Sequence, residues 1–234
     1  MSEEEKKFLE IVDLKKGFGS GQTRQEVLRG MNFSVAKGEF CVLLGPSGSG
    51  KSTLLNIIGG MDTFDEGEMF VDGEPTFQYD DQDWEAFRRN KIGYIFQDYS
   101  LVGHYTALDN VMSALLILGV EKKDARETAM KYLAQVGLAG YETHRASELS
   151  SGQKQRLSIA RALAKNTEII VADEPTGNLD SKNSAEVMAL LRYFHEKKGQ
   201  TLLVITHDER IACQADRLIT VEDGHIAQDE AVRP

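Results

Sequence analysis

The chain of 234 residues contains little cysteine and little proline. Its two cysteines, Cys41 and Cys213, lie far apart and match no metal-ligand spacing, which argues against a cysteine-based metal site. Because Cys41 falls in the apolar run FCVLLG, we expect it to be a small buried core residue, and we extend that interpretation to Cys213. The four prolines form no linker-like tract, so the length favours one large domain, or one domain with a sizeable insertion.

Basic residues and long apolar runs are also scarce. The 27 Lys and Arg residues face 37 Asp and Glu residues, which gives a formal net charge of −10. An acidic surface of this kind argues against nonspecific binding to nucleic acid or to an anionic membrane. The longest apolar stretch, ALLILGV, is too short to cross a membrane, and the first residues lack the apolar core of a signal peptide. The sequence alone therefore predicts a cytosolic chain.

Hydrophobic periodicity divides the chain into three stretches. Residues 8–78 are rich in strand patterns and contain one helix that begins near Lys51. Residues 100–165 follow helical spacing, whereas residues 168–228 alternate short apolar runs with helical patterns, which is typical of βα units and a parallel sheet. These patterns predict an α/β core whose middle is interrupted by a helical insertion.

A phosphate-binding motif occupies residues 45–53, which read GPSGSGKST between an apolar run and a helical pattern. Its glycines let the backbone turn tightly and direct N–H groups at an anion. Lys51 supplies positive charge for the β- and γ-phosphates, and Ser52 supplies a hydroxyl for Mg²⁺. The flanking strand and helix disfavour the alternative of a glycine-rich turn without a ligand. We expect these residues to bind the triphosphate: Gly45, Pro46, Ser47, Gly48, Ser49, Gly50, Lys51, Ser52 and Thr53.

Two acids follow a later apolar run, in the segment EIIVADEP. A lone Asp-Glu pair means little, but downstream of a phosphate-binding loop it suggests a metal-holding Asp173 and a Glu174 that polarises the attacking water. This pairing favours nucleotide hydrolysis over phosphate transfer to a metabolite. A second candidate phosphate cradle, LSSGQ at residues 149–153, also precedes a helical pattern.

The motifs GPSGSGKST, LSSGQKQR, VADEPTGNLD and VITHD, in this order, make the chain resemble the ATP-binding cassette (ABC) family of ATPases. The resemblance covers nearly the whole chain and implies one domain, residues 1–234. It implies an α/β P-loop NTPase core with an antiparallel β subdomain, at 1–98 and 166–234, and an α-helical subdomain insertion at about 99–165. It further implies a homodimer in which two chains pack head to tail around two ATP molecules.

The resemblance also assigns roles around the nucleotide. It implies that Gln97 ligates Mg²⁺ and senses a membrane partner, and that Asp173 holds Mg²⁺ through water. Glu174 is then the catalytic base, and His207 contacts the γ-phosphate. Phe18 aligns with the aromatic residue that stacks on adenine, where tyrosine is commoner, although an aromatic near a strand is more often a core residue.

Other implied roles concern the partner chain. Ser150 and Gly152 belong to the signature motif, with Ser151 and Gln153, and contact the γ-phosphate bound by the partner. Ser151 stands where glycine is usual, and we expect activity to survive because the position tolerates a small side chain. Asp180 is expected at the dimer seam. A separate interpretation concerns two arginines in the signature helix, at positions 156 and 161, which we take as structural partners of nearby acids.

The segments ADEPTGNLDS and GPSGSGKSTLLNIIGGMD resemble one branch of the family, which serves lipoprotein release, macrolide export, bacitracin-type peptide resistance and cell division. This resemblance implies a separate FtsX- or MacB-like transmembrane permease, no nucleic-acid partner, and attachment to the cytoplasmic face of the membrane through the permease alone. The segment 98–111 is expected to dock the permease, the alternative being a solvated loop. Another hypothesis remains open, in which the ATPase serves a signalling or mechanical membrane complex that transports nothing.

Overall fold

The computed structural model describes residues 7–232. Three short 3₁₀ turns accompany the regular elements in this part of the chain. The helices are α1 Lys51–Ile58, α2 Asp81–Asn90, α3 Ala107–Ile117, α4 Lys122–Gln135, α5 Ser151–Ala164, α6 Ser181–Lys198 and α7 Glu209–Ala212. The strands are β1 Lys7–Phe18, β2 Gln25–Ala36, β3 Phe40–Leu44, β4 Glu66–Val71, β5 Glu74–Pro75, β6 Ile92–Ile95, β7 Ile169–Asp173, β8 Thr201–Thr206, β9 Arg217–Glu222 and β10 His225–Ala231.

The strands form two sheets. A four-stranded sheet has the order β2-β1-β4-β5 and is antiparallel. A six-stranded sheet has the order β10-β9-β3-β8-β7-β6, in which β3, β6, β7, β8 and β9 pair in parallel and β10 pairs antiparallel with β9. The α/β fold class with an antiparallel β part and a helical part is thereby confirmed.

The central strands of the six-stranded sheet are buried on both faces, as apolar runs such as FCVLL predict. Along β3, Phe40 and Val42 point into a core shared with the helices, whereas Cys41 and Leu43 point into a core shared with α1 and the antiparallel sheet. This alternation follows from the two-residue period of a strand. The six-stranded sheet is therefore the middle layer, and its carboxyl ends carry the loops described below.

The helical stretch packs on one face of this sheet. Helices α3, α4 and α5 lie within residues 107–164, inside the stretch for which the sequence predicts helices, and they share buried apolar residues such as Val111, Leu133 and Leu157. α6 ends at Gly199, which adopts the left-handed conformation at φ +61° that glycine tolerates best. No helix within residues 7–232 combines the length and the apolar character needed to cross a membrane.

The two cysteines differ. Cys41 is fully buried in β3, as expected, and burial raises the pKa of its thiol far above its usual value. Cys213 is exposed, so the expectation that it is a core residue is wrong. The reason is local: α7 is only one turn long, and it buries Ile211 and Ala212 while the next residue, its C-cap, faces outward.

Candidate active site

The phosphate-binding loop joins β3 to α1 and needs glycine at defined points. Gly50 is the N-cap of α1 at φ +98°, and Gly48 has φ +84°, both in the left-handed region. A Cβ on Gly45 would lie 2.2 Å from the carbonyl oxygen of Val221, and one on Gly50 would lie 2.9 Å from that of Val27. The loop is thus wedged between β2 and β9, which fixes the direction of its N–H groups.

Lys51 places its charge inside this loop. Its ammonium group donates hydrogen bonds to the carbonyl oxygens of Gly45 at 2.7 Å and Pro46 at 2.8 Å. Only 6% of the residue is exposed. Burial lowers the pKa of Lys51, while the nearby carboxylates of Glu174 and Asp173 oppose that shift. The loop thus holds a buried ammonium group next to the two acids that follow β7.

Residues predicted from four separate motifs meet in one cleft beside the loop. The cleft has a volume of about 400 Å³ and opens at the carboxyl ends of the parallel strands, where ligands bind in open α/β sheets. It brings the phosphate-binding loop together with Gln97 after β6, Glu174 after β7 and His207 after β8. Its lining residues are Val27, Ser47, Gly48, Gly50, Lys51, Ser52, Thr53, Gln97, Glu174 and His207.

An oxygen pair suited to a hard cation lies at the floor of this region. The Ser52 hydroxyl donates to Oδ1 of Asp173 over 3.3 Å. Burial raises the pKa of the Asp173 carboxyl, and the hydrogen bond from Ser52 and the charge of Lys51 act against that rise. A hydroxyl and a carboxylate, with the amide of Gln97 at the same cleft, match the oxygen ligands that Mg²⁺ shares with bound phosphates. The residues present therefore fit the ion that the sequence predicts.

Glu174 is held in a strained position next to His207. Its φ of +44° lies in the left-handed region, which is costly for a residue with a side chain. Its N–H donates to the Ile205 carbonyl oxygen at 3.0 Å, and its Oε1 lies 2.8 Å from Nδ1 of His207. The Thr206 hydroxyl is 3.4 Å from its other carboxylate oxygen. These contacts aim a carboxylate into the cleft, in position to accept a proton from water.

The signature motif forms the capped start of α5. The Ser150 hydroxyl accepts a hydrogen bond from the N–H of Gln153 at 3.3 Å, and the Gln153 side chain accepts one from the N–H of Ser150 at 2.9 Å. This reciprocal capping box explains both residue types. Ser151 is exposed, whereas Gly152 is buried, and a Cβ on Gly152 would lie 2.4 Å from Oδ1 of Asn183. The structure thus gives room for a side chain at 151 but none at 152, and the tolerance of serine at 151 stays a prediction.

Asp180 connects to the signature motif through Asn183, a residue that sequence reasoning missed. Asp180 is the N-cap of α6, and its carboxylate accepts the backbone N–H of Asn183 at 2.9 Å and the side-chain NH₂ at 2.8 Å. These hydrogen bonds hold the pKa of Asp180 below its usual range. The amide oxygen of the same Asn183 faces Gly152. In the sequence, the N-cap pattern of an acid three residues before an asparagine indicates only the bond between Asp180 and Asn183. No sequence pattern indicates the approach of Asn183 to Gly152.

Several predicted residues lie outside the cleft. Among the described residues, those lining it do not include the signature residues 150–153, Asp180 or Phe18. Phe18 ends β1 with 47% of its surface exposed, and the ammonium group of Lys16 lies 5.2 Å from its ring centroid. An exposed ring at the end of β1, an interior strand of the antiparallel sheet, can stack on a ligand, and this assignment remains a prediction.

The two signature-helix arginines have different partners. Arg156 pairs with Glu186 at 3.2 Å, as expected of a structural partner for an acid. Arg161 instead donates to the backbone carbonyl oxygens of Tyr99 and Ser100, so the expectation that it bonds an acid is wrong. The nearby Asp98 uses its carboxylate to accept hydrogen bonds from Ser100, which leaves the carbonyl oxygens to the guanidinium.

Comparison with known proteins identifies the family. The sequence model described as ABC transporter matches residues 28–177. The chain is 47% identical over 221 residues to the lipoprotein-releasing system ATP-binding protein LolD of Geobacter metallireducens, covering 94% of this chain and 98% of the relative. It is 42% identical to the macrolide export ATP-binding/permease protein MacB of Neisseria gonorrhoeae, covering 97% of this chain but only 35% of that longer relative.

The fold has a solved counterpart in a dimeric protein. A post-hydrolysis dimer of the ATP-binding cassette MJ0796, bound to ADP and Pi, is 38% identical to the chain with a TM-score of 0.90. The alignment covers 97% of this chain and 99% of that one. The chain therefore belongs to the ABC transporter family, as an ATP-binding subunit with the ATPase activity of that family.

Proposed function

We propose that two copies of this chain close around two ATP molecules and drive a separate transmembrane permease. The observation that carries this proposal is the separation of the two phosphate-binding elements. The cleft of the phosphate-binding loop is lined, among the described residues, without any contribution from residues 150–153. A helix N-terminus that carries Ser150 and backbone N–H groups outside that cleft suits an anion held by another molecule.

In this proposal each ATP lies in the cleft with its phosphates on the N–H groups of the loop. Lys51 stabilises negative charge that develops on the γ-phosphate, and Glu174 orients a water molecule and accepts its proton. His207, at 2.8 Å from Glu174, holds that carboxylate in place. Ser52, Asp173 and Gln97 would hold Mg²⁺, and the bound ion would supply positive charge beside the phosphates. Catalysis then depends on positioning and electrostatics rather than on a covalent intermediate.

The partner chain completes the site. Ser150 and Gly152 of the second copy approach the γ-phosphate, and Asp180 lies at the seam between the copies. ATP then favours the closed dimer because it binds that state more tightly than the open one. Hydrolysis removes the bridging phosphate and lets the dimer open. The dimer of the related cassette MJ0796 with ADP and Pi supports this arrangement.

A groove on the helical side supports a permease partner. It has a volume of about 370 Å³ and includes Ser100, which lies in the segment predicted to dock the permease. Its floor is aromatic and aliphatic, and four cationic side chains surround it. Among the described residues, these four form no ion pair with a carboxylate. The lining residues are Glu85, Arg88, Arg89, Tyr94, Phe96, Ser100, Ala114, Ile117, Leu118, Arg161, Ala162 and Lys165.

An apolar floor bordered by cationic side chains fits an amphipathic helix, here the cytoplasmic helix of a permease. Three of these cations, Arg88, Arg161 and Lys165, donate to backbone carbonyl oxygens rather than to carboxylates. Tyr105 and Val102, in the same predicted docking segment, are 40% and 38% exposed. The names of the relatives point to lipoprotein release and macrolide export. We infer an export or release permease for a lipoprotein, peptide or antibiotic, with the ATPase held at the cytoplasmic face of the membrane through that permease. Co-purification from native membranes separates this from a signalling complex, because it identifies the permease and its extracellular domain.

Mixing two inactive variants tests the shared site. Lys51→Ala removes the charge in the phosphate-binding loop, and Ser150→Arg blocks the signature motif. Each variant alone has no complete site, but a mixed dimer has one, formed by the intact loop of one chain and the intact signature of the other. We expect ATPase activity to reappear on mixing and to follow the fraction of mixed dimers. Mixtures that associate and remain inactive would falsify the proposal.

A further inference from the structure

The turn that follows Gln97 is strained. Tyr99 and Ser100 are consecutive and have φ values of +68° and +45°, in the left-handed region that residues with side chains rarely adopt. Neither is a glycine, so the sequence does nothing to lower the cost of this conformation. A turn of this kind persists only where surrounding contacts hold it.

Contacts from within the loop and from α5 hold the turn. Oδ1 of Asp98 accepts hydrogen bonds from the Ser100 N–H at 3.1 Å and from its hydroxyl at 2.7 Å. Arg161 approaches from α5 and donates one guanidinium nitrogen to the Ser100 carbonyl oxygen at 2.5 Å and the other to the Tyr99 carbonyl oxygen at 3.0 Å. The planar guanidinium thus spans two successive carbonyl groups, which a single ammonium group cannot do with the same geometry.

The same loop is attached to the active-site cleft at its other end. Gln97 lines the cleft, and its backbone carbonyl oxygen accepts a hydrogen bond from the Asn178 side-chain NH₂ group at 3.0 Å. Only Asp98 separates Gln97 from the turn to which Arg161 is hydrogen-bonded. A shift of the turn therefore moves Gln97, because four successive residues have few free torsions once both ends are bonded.

We propose that Arg161 is a positioning residue for Gln97, which ties the signature helix to the loop that carries a ligand of the catalytic Mg²⁺. The inference rests on the proposed role of Gln97. Among the described residues, Arg161 is not one of those that line the active-site cleft. It lies 11 residues after Ser150 on the same helix, about 16 Å along its axis. Movement of α5 as the signature motif engages the partner's ATP is transmitted through this arginine to Gln97 in the chain's own cleft.

Two variants of Arg161 test this link. Arg161→Met removes both hydrogen bonds, and Arg161→Lys retains one charge and one bond. We expect amide hydrogen exchange within residues 96–102, in protein without nucleotide, to accelerate about tenfold in Arg161→Met and less in Arg161→Lys. The Mg²⁺ concentration for half-maximal ATP hydrolysis should rise about tenfold in Arg161→Met, in the range found when a residue supporting a metal ligand is lost.

The matched control is Arg192→Lys. Arg192 on α6 also donates to a backbone carbonyl oxygen, that of Gln214 at 2.8 Å. Its hydrogen-bond partners, Glu196 and Gln214, lie outside the loop that contains Gln97. This variant should leave both the exchange of residues 96–102 and the Mg²⁺ dependence at wild-type values. If Arg161→Met does not fold, Arg161→Lys carries the same two measurements.

The inference is overturned if the Arg161 variants leave exchange in residues 96–102 unchanged, or if exchange accelerates without any change in Mg²⁺ dependence. Its failure is distinguishable from failure of the proposed function. A wild-type chain that hydrolyses ATP normally, with unresponsive Arg161 variants, refutes only the positioning role. A wild-type chain with no ATPase activity refutes the proposed function, whereas the exchange measurement still reports whether Arg161 holds the turn.

Discussion

Gly152 lies so close to Asn183 that a methyl group on it would sit 2.4 Å from the amide oxygen of that side chain. Asn183 cannot simply turn away, because its NH₂ group is bonded to Asp180 at 2.8 Å. The start of the signature helix and the start of α6 are therefore packed through one hydrogen-bonded side chain. The first helix start carries residues that we assign to the partner's nucleotide, and the second carries Asp180, which we assign to the dimer seam.

Gly152→Ala should consequently displace Asn183 and shift the signature motif. We expect kcat of the ATPase to fall about tenfold or more, in line with the sensitivity of catalysis to misplacement of about 1 Å, while ATP binding to the monomer is retained. Steady-state kinetics and equilibrium binding measure the two quantities.

A compensating variant makes this test specific. Asn183→Ala removes the oxygen that the new methyl group meets, so Gly152→Ala in that background should cause little further loss. Ser151→Ala serves as the control, because Ser151 is exposed and should tolerate the change. Equal losses for Gly152→Ala with and without Asn183→Ala would show that the contact is not the cause.

Much of the fold could be predicted from the sequence because the signals are local. The buried runs FCVLL and TLLVIT became central strands of the parallel sheet, since strands covered on both faces read as continuous apolar segments. Gly199 is the left-handed C-cap of α6, where glycine commonly ends a helix. α2 received no prediction, although Asp80 and Asp83 form a capping box at its start, because its sequence is mostly polar.

The site was only partly predictable, for a different reason. Residues such as Lys51 and Glu174 belong to motifs with fixed spacing, and the cleft brings them together. Asn183 and Arg161 act through contacts between distant segments, and no local pattern gives their partners. Arg161 was expected to bond an acid, but the acid near it, Asp98, is committed to the turn. Charge patterns in a sequence do not tell whether an arginine side chain will bind a carboxylate or a backbone carbonyl oxygen.

Glu174→Gln should separate ATP binding from hydrolysis. Glutamine keeps the size of the side chain and a polar contact to His207 but cannot accept a proton from water. We expect hydrolysis to fall by about 10²–10⁴-fold, the usual contribution of a general base. ATP binding should persist, so the variant should accumulate as a dimer with ATP and Mg²⁺ on gel filtration. A variant that remains monomeric under these conditions contradicts the ATP-bridged dimer.

Asp173→Asn should weaken the use of Mg²⁺ selectively. The substitution keeps the shape of the side chain that accepts the Ser52 hydroxyl at 3.3 Å but removes the negative charge that attracts the cation. The Mg²⁺ concentration for half-maximal hydrolysis should rise by about tenfold or more. Asp229→Asn is the control, since that acid pairs with Arg217 at the edge of the sheet. A normal Mg²⁺ dependence in Asp173→Asn would remove this residue from the metal site.

The lowered pKa of Lys165 leads us to expect that the free energy of unfolding rises with pH in the alkaline range. Its ammonium group donates to the carbonyl oxygens of Arg88 at 2.7 Å and Ile92 at 2.8 Å. Burial, together with the charge of Arg161, lowers its pKa from 10.5 to about 8. Between these two values the unfolded chain binds more protons than the folded chain, so the contribution of this group to stability rises with pH in that window. Below about pH 8 both states are charged, and the cost of burying the charge is constant.

Denaturant unfolding at several pH values between 8 and 10 should therefore distinguish wild type from Lys165→Met. The wild type should gain free energy of unfolding across this range relative to the variant, which has no group to titrate. Lys37→Met is the matched control, because its hydrogen bond to Glu168 raises the pKa of Lys37 and so keeps its titration above the window. Parallel pH profiles for wild type and Lys165→Met would mean that Lys165 is not desolvated, and the groove it lines would then be wetter than its contacts indicate.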